Sequence, residues 1–151
     1  MASTISAATM TVTLTEAISL NGNDQGSKNT LNIADITEIN KRIVTCPTSE
    51  KTIISFAGAI DAGTFIDADA RYVRITNKDD TNFVKINIEG EASTDYTIRL
   101  DAGASHIILS TSTTGLADYA DITGSTLENL SAIKATADTA ACDLEVFVAS
   151  A

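Results

Sequence analysis

From Tyr72 to Leu109 apolar side chains recur at every second position, a period that strands satisfy and helices do not. Val73 and Ile75 fall on one side while Tyr72, Arg74 and Thr76 fall on the other, because successive strand side chains point to opposite faces. Asn77-Lys78-Asp79-Asp80 is a turn sequence, after which Val84, Ile86 and Ile88 share a face. The spacing predicts a β-hairpin with a loop of about four residues. Tyr96, Ile98 and Leu100 alternate with Thr97 and Arg99, and Asp101-Ala102-Gly103-Ala104 turns the chain into Ile107-Ile108-Leu109.

The same period marks the rest of the chain less evenly. Met10, Val12 and Leu14 alternate with Thr11, Thr13 and Thr15, Ile18 and Leu20 keep that parity, and Asn21 to Ser27 is the clearest loop. Leu31, Ile33, Ile36, Ile39 and Ile43 mix spacings of two and three, so a short helical turn near Ala34–Ile39 competes with a strand. Ile43 to Cys46 ends at Pro47, which suits a strand end. Thr52 to Phe56 follows, then a turn region flanked by Gly58 and Gly63. Two further strands are expected near Leu130–Ala135 and Cys142–Ala149; for the former, a capping box at Ser125-Thr126-Leu127-Glu128 offers a helical alternative through Leu127, Leu130 and Ile133. No internal repeat stands out. The expected fold is all-β, a single-domain β-sandwich or jelly roll over residues 16–151, with residues 1–15 as a candidate extended N-terminal arm. Such a sandwich has sheet edges that must be covered or paired, and a neighbouring chain can cover them.

At 151 residues the chain can bury roughly 68–70% of its unfolded surface and needs no staples. It has no Trp and few aromatics, so its core rests on Ile, Leu, Val and Ala, which bury less area each. Contacts between subunits would supplement such a core. The formal net charge of −10 opposes nucleic acid, where Lys and Arg must neutralise phosphates, and equally an anionic membrane surface. No apolar run has the length of a membrane span, and Met1-Ala2-Ser3-Thr4-Ile5 does not read as a secretory signal. Cys46 and Cys142 lie far apart without metal spacing and are expected as buried free thiols, with one disulfide as the alternative. The triplet Asn129-Leu130-Ser131 is read as chance.

Sequence motifs for chemistry are sparse. His106 is the one histidine and reads as structural, since a Cys46–His106 dyad would need the fold to bring two distant residues together. Asp61, Asp67 and Asp69, with Asp79 and Asp80, read as solvated turn acids; a calcium site is the functional alternative, but the twelve-residue loop pattern is missing. No zinc spacing, P-loop or glycine-rich dinucleotide motif appears, so no catalytic residue, metal or cofactor is expected. Tyr72, Phe83, Tyr119 and Phe147 are the candidate exposed aromatics, with sugar stacking on Tyr72 or Phe83 as a minor reading.

The segment Tyr72-Val73-Arg74-Ile75-Thr76-Asn77-Lys78-Asp79-Asp80-Thr81-Asn82-Phe83-Val84 resembles a stretch of small virion proteins of tailed bacteriophages. Tyr96–Leu100, Asp101-Ala102-Gly103, Ser105–Leu109 and the closing strands Leu130–Ala135 and Leu144–Ala149 are similar too, so the likeness spans roughly Arg42 to Ala151. It implies a capsid decoration, or cement, protein on the outer capsid surface. Such a protein is non-enzymatic and clamps adjacent subunits of the major capsid protein, as a homo-oligomer with a trimer favoured. Ile5, Met10, Val12, Leu14, Tyr72 and Phe83 are then the expected interface anchors. Alternatives are a tail, connector or fibre-associated subunit, and a cell-surface module binding glycan or protein; an enzyme would rest on the carboxylates alone.

Overall fold

Alternating Ile, Val and Thr build strands throughout the computed structural model, which describes residues 4–91, 94–116 and 127–151. In chain order these are β1 (Ala8–Glu16), β2 (Ser19–Leu20), β3 (Asn23–Asp24), β4 (Ser27–Ile36), β5 (Glu38–Cys46), β6 (Lys51–Ala57), β7 (Thr64–Ile66), β8 (Ala70–Asn77), β9 (Val84–Gly90), β10 (Asp95–Leu100), β11 (Ser105–Leu109), β12 (Leu130–Ala137) and β13 (Cys142–Ser150). No helix occurs among the described residues. A five-stranded sheet, ordered β10-β9-β12-β6-β7, faces a four-stranded sheet, ordered β11-β8-β13-β5. Ile54, Val84, Ile86, Ile88 and Ile133 of the first meet Val73, Ile75, Leu144, Val146 and Val148 of the second in one core, which makes the body a β-sandwich. Each such side chain contributes about 1.5–3 kcal/mol by leaving water.

The expected hairpin between Tyr72 and Ile88 does not form. β8 and β9 belong to opposite sheets, and Asn77–Phe83 is the corner that carries the chain across. Alternation fixes which side chains face the core but not which strand is the neighbour. Asn77 holds the corner. It is fully buried, its amide donates to the carbonyls of Asn82 (2.9 Å) and Leu100 (3.2 Å), and its Oδ1 accepts the Asp79 N–H (3.0 Å). Asp79 in turn accepts the N–H groups of Thr81 and Asn82, bonds that hold its carboxyl below the usual carboxylate range.

No helical turn forms near Ala34–Ile39 either. A register shift between Ala8–Ile36 and Met10–Ile33 bulges β4, and Asp35 there takes a left-handed φ of 62°. The bulge puts Ile33 and Ile36 three residues apart on one buried side, which accounts for the mixed spacing. Leu130–Ala137 is a strand, not a helix. Ser125 and Thr126 of the capping box, and Tyr119, lie outside the described residues.

Within the segment expected as an extended N-terminal arm, Ala8–Glu16 forms one side of a long hairpin. β1 pairs antiparallel with β4 in a separate two-stranded ribbon. β2 and β3 close its tip across Asn21 and Gly22, both at positive φ (52° and 80°), the backbone that a type I′ turn requires.

Candidate functional site

The ribbon has two unlike faces. Thr11, Thr13 and Thr15 pair across it with Asn32, Thr30 and Lys28. The Thr11 hydroxyl donates to Asn32 Oδ1 (3.0 Å), and the Thr13 and Thr30 hydroxyls share a bond of 3.3 Å. The other face carries Met10 opposite Ile33, Val12 opposite Leu31, Leu14 opposite Asn29, and Glu16 opposite Ser27. At its base this apolar face is seated on the outside of the four-stranded sheet. Ile33 and Ile36 form a second core cluster with Tyr72 and Ala149, against which Met10, Val12, Leu31 and Phe147 pack. Towards the tip the same face loses its cover: Ile33 is 1% exposed, Leu14 is 57% exposed, and Ile18 and Leu20 beyond it are exposed too.

The outer sheet face is only partly covered by the ribbon. Strand register aligns Ile39, Ala149, Tyr72 and Leu109 in one row, and Lys41, Phe147, Arg74 and Ile107 in the next. Ala149 and Tyr72, on the central strands, are buried, whereas Ile39 and Ile43 on β5 and Ile107 and Leu109 on β11 are exposed. Between them Glu145 takes Arg74 at 2.7 Å and Lys41 at 3.5 Å. The Arg74 hydrogen bond is the main reason the Glu145 carboxyl sits below its ordinary value.

The expected anchors are divided by this arrangement. Ile5 and Leu14 are exposed, whereas Met10 and Val12 are half-buried against the chain's own sheet. Tyr72, expected at an interface or under a sugar, is buried and meets Phe147 edge-on at 5.8 Å. Phe83 is half-buried, and the Arg99 guanidinium lies 4.0 Å above its ring, where a sugar would have stacked. The Tyr72 ring and one face of Phe83 are thus covered. Ile18, Leu20, Ile39 and Ile43, all exposed, stand outside the anchors expected from the sequence. The signal for the first two was Asn21-Gly22 after an alternating run, a strong mark of a hairpin tip.

Other chemistry is dispersed. β5 and β11 are opposite edges of one sheet, three strand spacings or roughly 14 Å apart, and the register sets His106 level with Arg42, four residues along β5 from Cys46, so the two side chains do not meet. His106 Nε2 is buried without a partner among the described residues, and burial lowers its pKa, which favours the neutral ring. Cys46 and Cys142 face each other across β5 and β13 as buried free thiols, both with pKa values raised chiefly by burial. Asp61, Asp67 and Asp69 do not gather: no cluster of His, Cys, Asp or Glu able to hold a metal occurs among the described residues. Asp67, buried at 6% exposure, instead accepts the Ala68 N–H, and its carboxyl beside Glu91 is the first cause raising the Glu91 pKa. A cleft of about 530 Å³ lies between Thr37–Arg42, Asp61–Ile66 and Ser150, and Asn40 Oδ1 and Ser150 Oγ are buried beside it without described partners.

No protein-family model matches the chain, and comparison with curated proteins gives no match.

Proposed function

We propose that this protein is a non-enzymatic subunit of a larger assembly, and specifically a decoration protein on the outer capsid of a tailed bacteriophage. The observation that carries the assembly reading is the ribbon. Its apolar face starts buried on the chain's own sheet and runs out past it, leaving Leu14, Ile18 and Leu20 in solvent. Ile39, Ile43, Ile107 and Leu109 remain exposed on the sheet beside it. Exposed aliphatics gathered at the ribbon tip and along the edges of the outer sheet suit surfaces that a partner covers. The resemblance of Tyr72–Val84 and the closing strands to phage virion proteins supports the capsid as that partner. The net charge of −10 suits an outer surface, away from packaged DNA. A trimer clamping adjacent major capsid subunits is the favoured arrangement, with many weak contacts made effective by lattice multivalency.

Co-sedimentation tests this reading. Purified chain is mixed with phage particles produced without its gene. The proposal expects it to pellet with the particles up to a fixed ratio to the major capsid protein. A chain that stays in the supernatant at every concentration overturns the capsid assignment.

A further inference from the structure

We infer that the tip of the ribbon docks on a second copy of this chain, on the strip Ile39-Lys41-Ile43 along the outer face of β5. The inference deepens the assembly reading and rests on it, but does not need the virion. The two surfaces match in pattern and in charge. On the ribbon, Leu14 and Glu16 occupy the apolar face one after the other, with exposed Ile18 and Leu20 beyond them. On β5, Ile39, Lys41 and Ile43 occupy the outer face in the same alternation, with a cation where the ribbon carries an anion. The side chains that would meet are open: Leu14 is 57% exposed, Ile39 63% and Ile43 65%.

The strip is locally cationic on a strongly acidic chain. Glu145 serves both Arg74 and Lys41, so the triad carries one uncompensated positive charge, and the Lys41 side chain is 57% exposed. Asp143, one row further, accepts the Thr45 hydroxyl at 2.8 Å, keeps its charge, and bounds the cationic strip beyond Ile43. An acidic, apolar-flanked partner is what such a strip recognises, and Glu16 between Leu14 and Ile18 supplies one. Arg42 does not compete, because its guanidinium turns inward to the Ile53 carbonyl at 2.6 Å.

A second copy could also approach β5 edge to edge, since β5 ends its sheet. Antiparallel pairing centred on Lys41 sets that lysine beside its own copy, and like charges across strands destabilise. The ribbon-to-strip contact pairs opposite charges instead. It joins two different patches, so it either closes as a two-fold dimer in which each ribbon reaches the other's strip, or runs head to tail into a ring or filament.

The test is the oligomeric state of the full chain, by light scattering and native mass spectrometry, with E16K, K41E and the double variant. Self-association is expected in the wild type, weakened about tenfold or more by either reversal and largely restored when both are present. A photo-crosslinker replacing Leu14 should capture the 38–46 segment of an isotopically labelled second copy. A wild-type chain that stays monomeric, a double variant as weak as the singles, or a crosslink to any other segment overturns the inference. A monomer that still pellets with particles sinks self-docking and spares the capsid reading. An oligomer that fails to pellet does the reverse.

Discussion

Asn77 shows how one side chain can decide a topology. Its side chain is fully buried and satisfies two carbonyls and a backbone N–H at the corner between the sheets. Asn77→Ala leaves those groups unpaired and should cost about 2–4 kcal/mol in denaturant-derived stability. Asn77→Asp should cost more, because it sets a carboxylate against two carbonyl oxygens. Equal stability of wild type and Asn77→Ala would remove Asn77 as the corner's keystone. The sequence reads Asn77 as an ordinary turn residue; the carbonyls it reaches, at Asn82 and Leu100, become its neighbours only once the sheets have packed. Glu91 carries a separate prediction. Its folded pKa is raised above 4.5, first by the Asp67 carboxyl beside it. A raised carboxyl stabilises the fold below its unfolded pKa, and the benefit is lost as pH rises through the folded value. Glu91→Gln keeps a donor towards Asp67 without needing a proton. Its thermal midpoint should therefore exceed that of the wild type at neutral pH and converge with it in acid. Unchanged midpoints at both would show that the pair does not share a proton. Cys46 and Cys142 should both resist a thiol reagent in the native protein and react together on unfolding, since burial raises both pKa values.

The ribbon is the element on which the functional account turns, and it is held less firmly than the body. Its own contribution to packing is the small cluster around Ile33 and Ile36, whereas β8, β9, β12 and β13 share the main core. Gly26 lets its two sides approach: a Cβ there would lie 2.4 Å from the Glu16 carbonyl oxygen. Hydrogen exchange should thus be much faster in residues 11–15 and 28–32 than in 84–88. Ile33→Ala should speed ribbon exchange further while barely moving the protection of β9. Uniform protection across both regions would mean that the ribbon unfolds only with the body. Parity was legible here and pairing was not. Met10, Val12 and Leu14 share a face, as their spacing predicts, but that the face would be seated on Tyr72 and Phe147 could not be read from it. The burial of Tyr72 is illegible for the same reason. Its strand presents one side to the core and the other to the ribbon, so both faces of β8 are largely buried. The bulge at Asp35 and the corner at Asn77 are local departures from a regular period, and each displaced an expectation of helix or hairpin.

At the scale of the molecule, composition and architecture agree. An aliphatic core closes between two sheets, and the all-β sandwich follows from the alternation along the chain. Exposed aliphatics on a chain of net charge −10 remain to be explained, since self-repulsion keeps such a chain apart unless specific patches draw copies or partners together. The ribbon tip and the open outer sheet are the patches proposed for this, and a capsid lattice is the proposed setting in which many of them would act at once. The most direct test is the copy number of this chain in gradient-purified phage particles, by quantitative mass spectrometry against the major capsid protein. The account predicts a copy number comparable to that of the capsid protein. A few copies per particle would contradict lattice decoration and point to the tail or connector, and absence from the particles would contradict the virion assignment altogether.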